Sequence, residues 1–325
     1  MAAKILIVGG AGYIGSICAA SLRSAGHHTV AYDDLSTGHS ESVSGELIVG
    51  DIRDRAKLTE VLKQGRFDAV MHFAAKSLVG ESVQHPLRYF DVNVGGTTTL
   101  LQAMEDAGVR RLVFSSTCAI YGDPNYLPLD EQHPTAPVSP YGESKLMVEQ
   151  IMAACREREE FGITTLRYFN AAGAMPDGSL GESHSPETHL IPLAMDAALG
   201  RRPPLVLFGT DYETRDGTCI RDYIHVLDLA DAHRLALENL LAGGSGDAYN
   251  VGTGVGTTVR EVLASIERKS GLKVPHSEGE RRPGDPQGLY ARADKIQRDL
   301  NWQPRWTHID SIVETAVQWA QNPKY

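Results

Sequence analysis

Lys4-Ile5-Leu6-Ile7-Val8-Gly9-Gly10-Ala11-Gly12-Tyr13-Ile14-Gly15 is the stretch on which the fold turns. Ile5–Val8 predicts a strand, and Tyr13–Ala25 predicts a helix closed by Gly26. Between them the glycines stand at G-x-x-G-x-x-G spacing. Gly9 permits a tight turn, Gly12 lets the backbone approach a pyrophosphate, and Gly15 lets the helix pack on the sheet. The helix N-terminus then offers backbone N–H groups and the positive end of its dipole to phosphate. This is a dinucleotide cradle in the context such a cradle requires.

Working outward, short apolar runs alternate with helical patterns. Thr29–Tyr32, Leu47–Val49, Ala69–Phe73, Arg111–Ser115 and Ile163–Tyr168 read as strands. Arg55–Gln64, Asp91–Ala107 and Tyr141–Phe161 read as helices. The alternation predicts an α/β fold, a doubly wound parallel sheet with right-handed crossovers. After Asn170 the pattern loosens. Ala171–Thr188, Arg201–Pro204 and Asp211–Cys219 read as loops, with helices at His225–Leu241, Val259–Gly271, Ala293–Leu300 and Ile309–Gln321. A smaller C-terminal substrate-binding domain is expected there.

The 325 residues are 42% hydrophobic and 22% charged, which excludes disorder and coiled coil. A net charge of −10 argues against a general nucleic-acid or anionic-membrane surface. No apolar run approaches a membrane span, and the chain enters its first strand without a signal-peptide pattern. Cys18, Cys118, Cys155 and Cys219 form no C-x-x-C pair, which fits reduced thiols and a cytoplasmic protein. The histidines show no H-E-x-x-H or similar ligand spacing, so no metal site is expected. His72 and His225 read as structural, and Trp302, Trp306 and Trp319 as packing residues.

Asp33 closes the second strand, where an acid accepts hydrogen bonds from adenosine ribose hydroxyls. No Arg or Lys occupies Asp34–Gly38 to meet a 2′-phosphate, so NAD is favoured over NADP. Asp51-Ile52 ends the third strand, within reach of the adenine. Tyr141 and Lys145 share a helix face at i, i+4 spacing. A tyrosine is a poor base at neutral pH, and a neighbouring ammonium is expected to lower its pKa. Phe114-Ser115-Ser116-Thr117 leaves the preceding strand at the end where open α/β sheets bind ligands. Thr117 is there to hydrogen-bond a reacting hydroxyl.

Gly9–Gly15, Asp33-Asp34-Leu35-Ser36-Thr37-Gly38, Thr117 and Tyr141-x-x-x-Lys145 together resemble the extended short-chain dehydrogenase/reductase superfamily. Within it the chain resembles the UDP-glucose (UDP-galactose) 4-epimerase family. The likeness extends through His72–Ala75, Val79–Val83, Leu166–Asn170 and Asp216–His225. It implies a Rossmann-type NAD-binding domain, residues 1–170 with 219–250 returning to it. Residues 171–218 and 251–325 would form the UDP-sugar domain.

It further implies that Tyr13, Ile14, Asp34, Ser36, Thr37, Gly38, Asp51, Ile52, Phe73, Ala74, Ala75, Asn93, Ser115 and Tyr168 contact the cofactor. Asn170, His189, Leu190, Phe208, Arg221, Arg282 and Asp285 would contact the UDP-sugar. Leu289 falls at a gate position, where residue size separates plain from N-acetylated hexoses. Four positions depart from the family pattern, the first being Thr117, which replaces a frequent Ser and keeps the hydroxyl. Pro283 interrupts the usual Arg-Glu-Gly-Asp form, Ser77 stands where some members carry Lys, and His189 stands where some carry Asn.

The implied activity is reversible C4 epimerisation of a UDP-hexose through a 4-keto sugar, by a homodimer. A UDP-pentose epimerase would need the same residues. A 4,6-dehydratase would want Asp-Glu after Thr117, where this chain has Cys118-Ala119. A non-catalytic dinucleotide sensor would not need Tyr141, Lys145 and Thr117.

Overall fold

A computed structural model describes residues 2–158, 161–282 and 285–325. The chain forms two compact units. The first comprises residues 1–122, 134–167 and 230–249; the second comprises 123–133, 168–229 and 250–325.

A seven-stranded sheet organises the first unit. Its spatial order is Ala248–Val251, Gly162–Tyr168, Arg111–Thr117, Ala69–His72, Lys4–Val8, His28–Asp33, Glu46–Val49. Lys4–Val8 is an interior strand, fifth in this order, and pairs in parallel with both neighbours, Ile7 opposite Ala31 on one side and Met71 on the other. Ile5, Leu6, Ile7 and Val8 are completely buried, as a strand covered on both faces must be. The order reverses beside this strand, so its C-terminal end and the glycine turn beyond it lie at the crevice where such sheets bind ligands.

The expected Asp91–Ala107 helix is not uniform. An α-helix spans Gly96–Ala107, and Phe90–Gly95 is a π-helical turn. Asn93 sits in that turn and is 2% exposed. The expected Tyr141–Phe161 helix runs from Pro140 to Arg158; residues 159–160 lie outside the described set, and Phe161 is not helical.

In the second unit the strand Ile220–His225 pairs antiparallel with Gly256–Thr258 and parallel with Asn170–Ala172 and Gly288–Leu289. Asn170–Ala172 overlaps the expected loop Ala171–Thr188, and the other three strands lie outside the stretches read as loops. Met195, Leu207, Tyr223, Val262, Ile266, Ile312 and Val313 form the core. A capping box of Thr258 and Glu261 starts the helix Val259–Ser270, and Gly271, at φ 71°, ends it. Trp302 is fully buried, with its indole N–H donated to the Asp228 carbonyl at 3.0 Å. Trp306 stacks on His225, ring centroids 4.1 Å apart. Both act as packing residues. Among the described residues no helix is long and apolar enough to cross a membrane.

Candidate active site

The glycine loop is built by exclusion. Gly9 has φ +84°, and a Cβ there would lie 2.4 Å from the Ala74 nitrogen. A Cβ on Gly15 would lie 2.1 Å from the Gly9 carbonyl oxygen. Gly12 differs: a Cβ there meets only the Gly9 carbonyl, at 3.5 Å. Gly12 is also the N-cap of the helix Tyr13–Ser24, and no side chain caps that end. The turn is therefore closed against the protein at Gly9 and Gly15 and open at Gly12, the arrangement a pyrophosphate requires.

Asp33 is 8% exposed. Its Oδ2 accepts from the Ala11 N–H at 2.9 Å and its Oδ1 from the Leu35 N–H at 2.8 Å. The carboxylate thus ties the second strand to the glycine loop, a positioning task the sequence does not reveal. Burial pushes its pKa above the usual carboxylate value, and the two N–H groups work against that rise. Each oxygen keeps a lone pair for a ribose hydroxyl. Asp34, Ser36 and Thr37 are exposed beside it, and Gly38 packs on Ala11, where a Cβ would approach to 2.9 Å. Asp51 is held by Arg53, with Nη2 to Oδ2 at 2.5 Å, and Ile52 is buried. The Phe73 and Ala74 N–H groups both donate to the Val8 carbonyl, at 2.7 and 3.0 Å; Ala75 follows, half-buried.

Asn93 pins this region. Its Oδ1 accepts from the Lys76 N–H at 2.8 Å, and its Nδ2 donates to the Lys76 carbonyl at 3.0 Å and to Ser144 Oγ at 2.9 Å. Buried, with one bond accepted at Oδ1 and two donated from Nδ2, it locks the segment after Ala69–His72 to the helix carrying Tyr141. The π turn places it there.

Tyr141 and Lys145 lie in the first two turns of the helix Pro140–Arg158. Gly142 is why that helix can reach the end of Arg111–Thr117: a Cβ on it would lie 2.6 Å from the Ala119 carbonyl oxygen. Thr117 donates to the phenol oxygen of Tyr141 and accepts from the Ala119 N–H at 3.1 Å. Lys145 is 4% exposed and donates from Nζ to the Ser115 carbonyl at 2.8 Å, 4.7 Å from the Phe114 ring centre.

The electrostatics correct the expectation from spacing. Burial pushes the Tyr141 phenol up to about 12, against the pull of the Thr117 hydrogen bond. The same burial brings the Lys145 ammonium down to about 7, partly offset by the Glu149 carboxylate. Lys145 does not by itself make Tyr141 a base, because desolvation taxes both charged forms. Glu149 accepts from Arg167, Nη2 to Oε2 at 2.6 Å, and from the Ser116 hydroxyl at 2.5 Å. It stands one turn beyond Lys145 on the same face. His72 is buried, hydrogen-bonded to Thr97 at 2.8 Å, and lowered to about 3 by burial, a neutral structural imidazole.

In the second unit, strand pairing places Leu289 opposite Arg221. Arg221 is ion-paired with Asp285, and the Tyr212 hydroxyl donates to the Asp285 carbonyl at 3.2 Å. Tyr212 and Arg221 are thus brought together with Asp285 and Leu289 from a distant part of the sequence. Leu289 is half-buried rather than a core leucine. Arg282 stacks its guanidinium on Phe208, 4.1 Å from the ring centre. Pro283 lies outside the described residues. Asn170, opposite Tyr223, and Tyr168 are half-buried. His189 caps the helix Leu190–Ala198, and its ring is engaged by Glu182 and Glu187, each 2.8 Å from Nδ1. Where the spacing of the histidines predicts no metal site, Glu182, His184, Glu187 and His189 converge within 4.8 Å.

A strand–glycine turn–helix with a buried acid after the second strand defines a Rossmann-type nucleotide-binding protein. The chain belongs to the NAD dependent epimerase/dehydratase family, whose description matches residues 5–252. It is 52% identical over 316 residues to a UDP-glucose 4-epimerase of Rhizobium leguminosarum bv. trifolii, covering 97% of this chain and 96% of that one. The UDP-glucose 4-epimerase of Brucella ovis, solved in complex with NAD, superposes with a TM-score of 0.96 at 48% identity, over 98% of both chains. That of Bifidobacterium longum, in complex with NAD+ and UDP, superposes with a TM-score of 0.93 at 34% identity, covering 98% of this chain and 99% of that one.

Proposed function

We propose that this protein interconverts UDP-glucose and UDP-galactose by epimerisation at C4, with NAD as a resident cofactor. The observation that carries the reading is the Thr117–Tyr141–Lys145 corner, set at the end of the strand two places along the sheet from the one that leads into the glycine cradle. The residues fit the cofactor: Gly12 leaves room for a diphosphate, and Asp33 keeps acceptor capacity for a ribose. NAD, when bound, supplies a reversible hydride acceptor. Tyr141, as phenolate, takes the proton of the 4-hydroxyl while hydride leaves the same carbon. Thr117 favours the phenolate by donating to its oxygen. Lys145, poised near neutrality, is the group through which positive charge is gained or lost beside it. The 4-keto sugar turns about its diphosphate link, and proton and hydride return to give the other epimer.

For the sugar nucleotide, Arg221 and Arg282 suit a diphosphate, because guanidinium hydrogen-bonds it bidentately. Asp285 and Asn170 suit the ribose and nucleotide sugar, and Leu289 the hexose. The first unit is thereby assigned to NAD and the second to the UDP-sugar.

We also propose a homodimer. Val83 and Leu87 are 63% and 80% exposed, and Met147 on the helix of Tyr141 is 44% exposed, an apolar surface suited to a second copy. The four cysteines form no disulfide among the described residues, which fits a reducing cytoplasm.

NMR of the products formed in parallel from UDP-glucose, UDP-xylose and UDP-N-acetylglucosamine tests the substrate. UDP-galactose from the first, fastest of the three, is expected. Faster turnover of UDP-xylose would make the protein a pentose epimerase. A 4-keto-6-deoxy product would make it a dehydratase. A dimer mass by light scattering, reduced by Leu87→Glu, is the matching test of assembly.

A further inference from the structure

We propose that Glu182, His184, Glu187 and His189 form a binding site for one divalent ion of the zinc class. All four lie on one loop of the second unit, at E-x-H-x-x-E-x-H spacing. One ligand atom from each falls within 4.8 Å of the others. His189 Nδ1 is 2.8 Å from Glu182 Oε1 and 2.8 Å from Glu187 Oε1, and His184 Nδ1 is 3.4 Å from Glu182 Oε1 and 3.7 Å from Glu187 Oε2. A tetrahedral zinc with bonds of roughly 2.0–2.2 Å holds its ligand atoms about 3.4 Å apart. To match, the 2.8 Å contacts of His189 must open by about 0.6 Å and the widest spacing, at most 4.8 Å, must close by up to about 1.4 Å.

The loop is fastened from behind. The Trp319 indole N–H donates to the Glu182 carbonyl at 2.7 Å, and the Tyr325 hydroxyl to the Gly181 carbonyl at 3.1 Å. Glu187 Oε1 also accepts from the backbone N–H groups of Thr188 and His189, at 2.7 and 2.8 Å, which fixes the carboxylate and leaves Oε2 toward His184. A cavity of about 200 Å³, lined by Glu182, His184, Glu187, Ile191, Met195 and Trp319 among others, opens against the cluster. Its other charged groups, Asp196 and Arg201, pair with each other at 3.6 Å.

Charge explains the choice of ion. Two carboxylates and two neutral imidazoles carry a formal charge of −2, which a dication cancels while giving every ligand a bond. Two imidazoles with two carboxylates select zinc over magnesium or calcium, which prefer all-oxygen shells. His189 so engaged keeps only Nε2 for any other partner.

The test is calorimetric titration of tag-free, chelator-treated protein with Zn2+, Mg2+ and Ca2+ at pH 7.5. One Zn2+ per chain is expected; Mg2+ and Ca2+ should not bind. His184→Ala should lose the stoichiometric event. X-ray absorption of the zinc-loaded unmutated protein gives an answer independent of any variant's folding. Two imidazoles and two oxygens at about 2.0–2.2 Å are expected. Absence of stoichiometric zinc, binding that survives His184→Ala, or sulfur in the zinc shell would each overturn the site and leave a four-group ion-pair cluster.

Discussion

Lys145 in the first unit and His184 in the second are both cations taken out of water, and they shift in opposite directions. Lys145 falls to about 7 because its fixed partner is a carbonyl dipole, with Glu149 acting only through space. His184 rises to about 9 because Glu182 and Glu187 lie against it. Partner charge decides the sign where burial is shared. The first arrangement keeps a charge adjustable, as acid–base chemistry needs. The second locks charges in place, as a structural loop needs.

The comparison breaks most visibly at Tyr141. Tyr141→Phe should lower kcat by about 10²–10⁴-fold while UDP binding stays near normal, since a positioned acid–base group contributes that much. Steady-state kinetics with UDP competition checks it, and near-normal turnover would identify another base. Gly142→Ala should cost about 10²-fold in kcat, because the added methyl must push the helix off the Ala119 carbonyl and misplace Tyr141. Unchanged kcat would mean the contact relaxes without moving the phenol.

Leu289→Tyr tests the second unit by specificity instead of rate. The protein should turn over UDP-glucose well and UDP-N-acetylglucosamine weakly. The substitution should cut the weak activity about tenfold or more and spare the strong one, by steric exclusion of the acetamido group. Equal effects on both would remove Leu289 from the sugar.

The smallest effects sharpen the opening contrast. Lys145 has a folded pKa below its unfolded value, so its penalty on folding builds as pH falls from the ordinary lysine range to about 7, is complete below that, and is absent above the lysine range. Lys145→Met should therefore gain stability relative to the unmutated protein in acid. His184 has a folded pKa above its unfolded value. Its contribution is complete below about 6.5 and is lost as pH rises through about 9. In chelator-treated protein, His184→Ala should lower Tm by about 2 °C near pH 6, with the gap closing above pH 9. Calorimetric Tm against pH reads both, and slopes of the same sign would refute the contrast.

How far the sequence foretold this differs by region. The glycine turn, Asp33 and the Tyr141–Lys145 pair are legible because strand, turn and helix periods are local. The π turn at Phe90–Gly95 is not, because its residues keep a helical apolar pattern while the hydrogen bonding changes. The need for Gly142 depends on Ala119, and the meeting of Arg221, Asp285 and Leu289 depends on strand register. Neither is a local property. The Tyr141 pKa was misjudged from spacing alone because spacing carries no desolvation. Glu182, His184, Glu187 and His189 escape motif reading because they sit on a loop, where helical ligand spacings do not apply.

The central claim is that hydride leaves C4 and returns to the same carbon without exchange with water. UDP-glucose carrying deuterium at C4, incubated with the purified holoenzyme in ordinary water, tests it by mass spectrometry and NMR of the product. UDP-galactose retaining the full deuterium label at C4 is predicted. Loss of the label to solvent would show proton abstraction from carbon in place of hydride transfer, and would contradict the account.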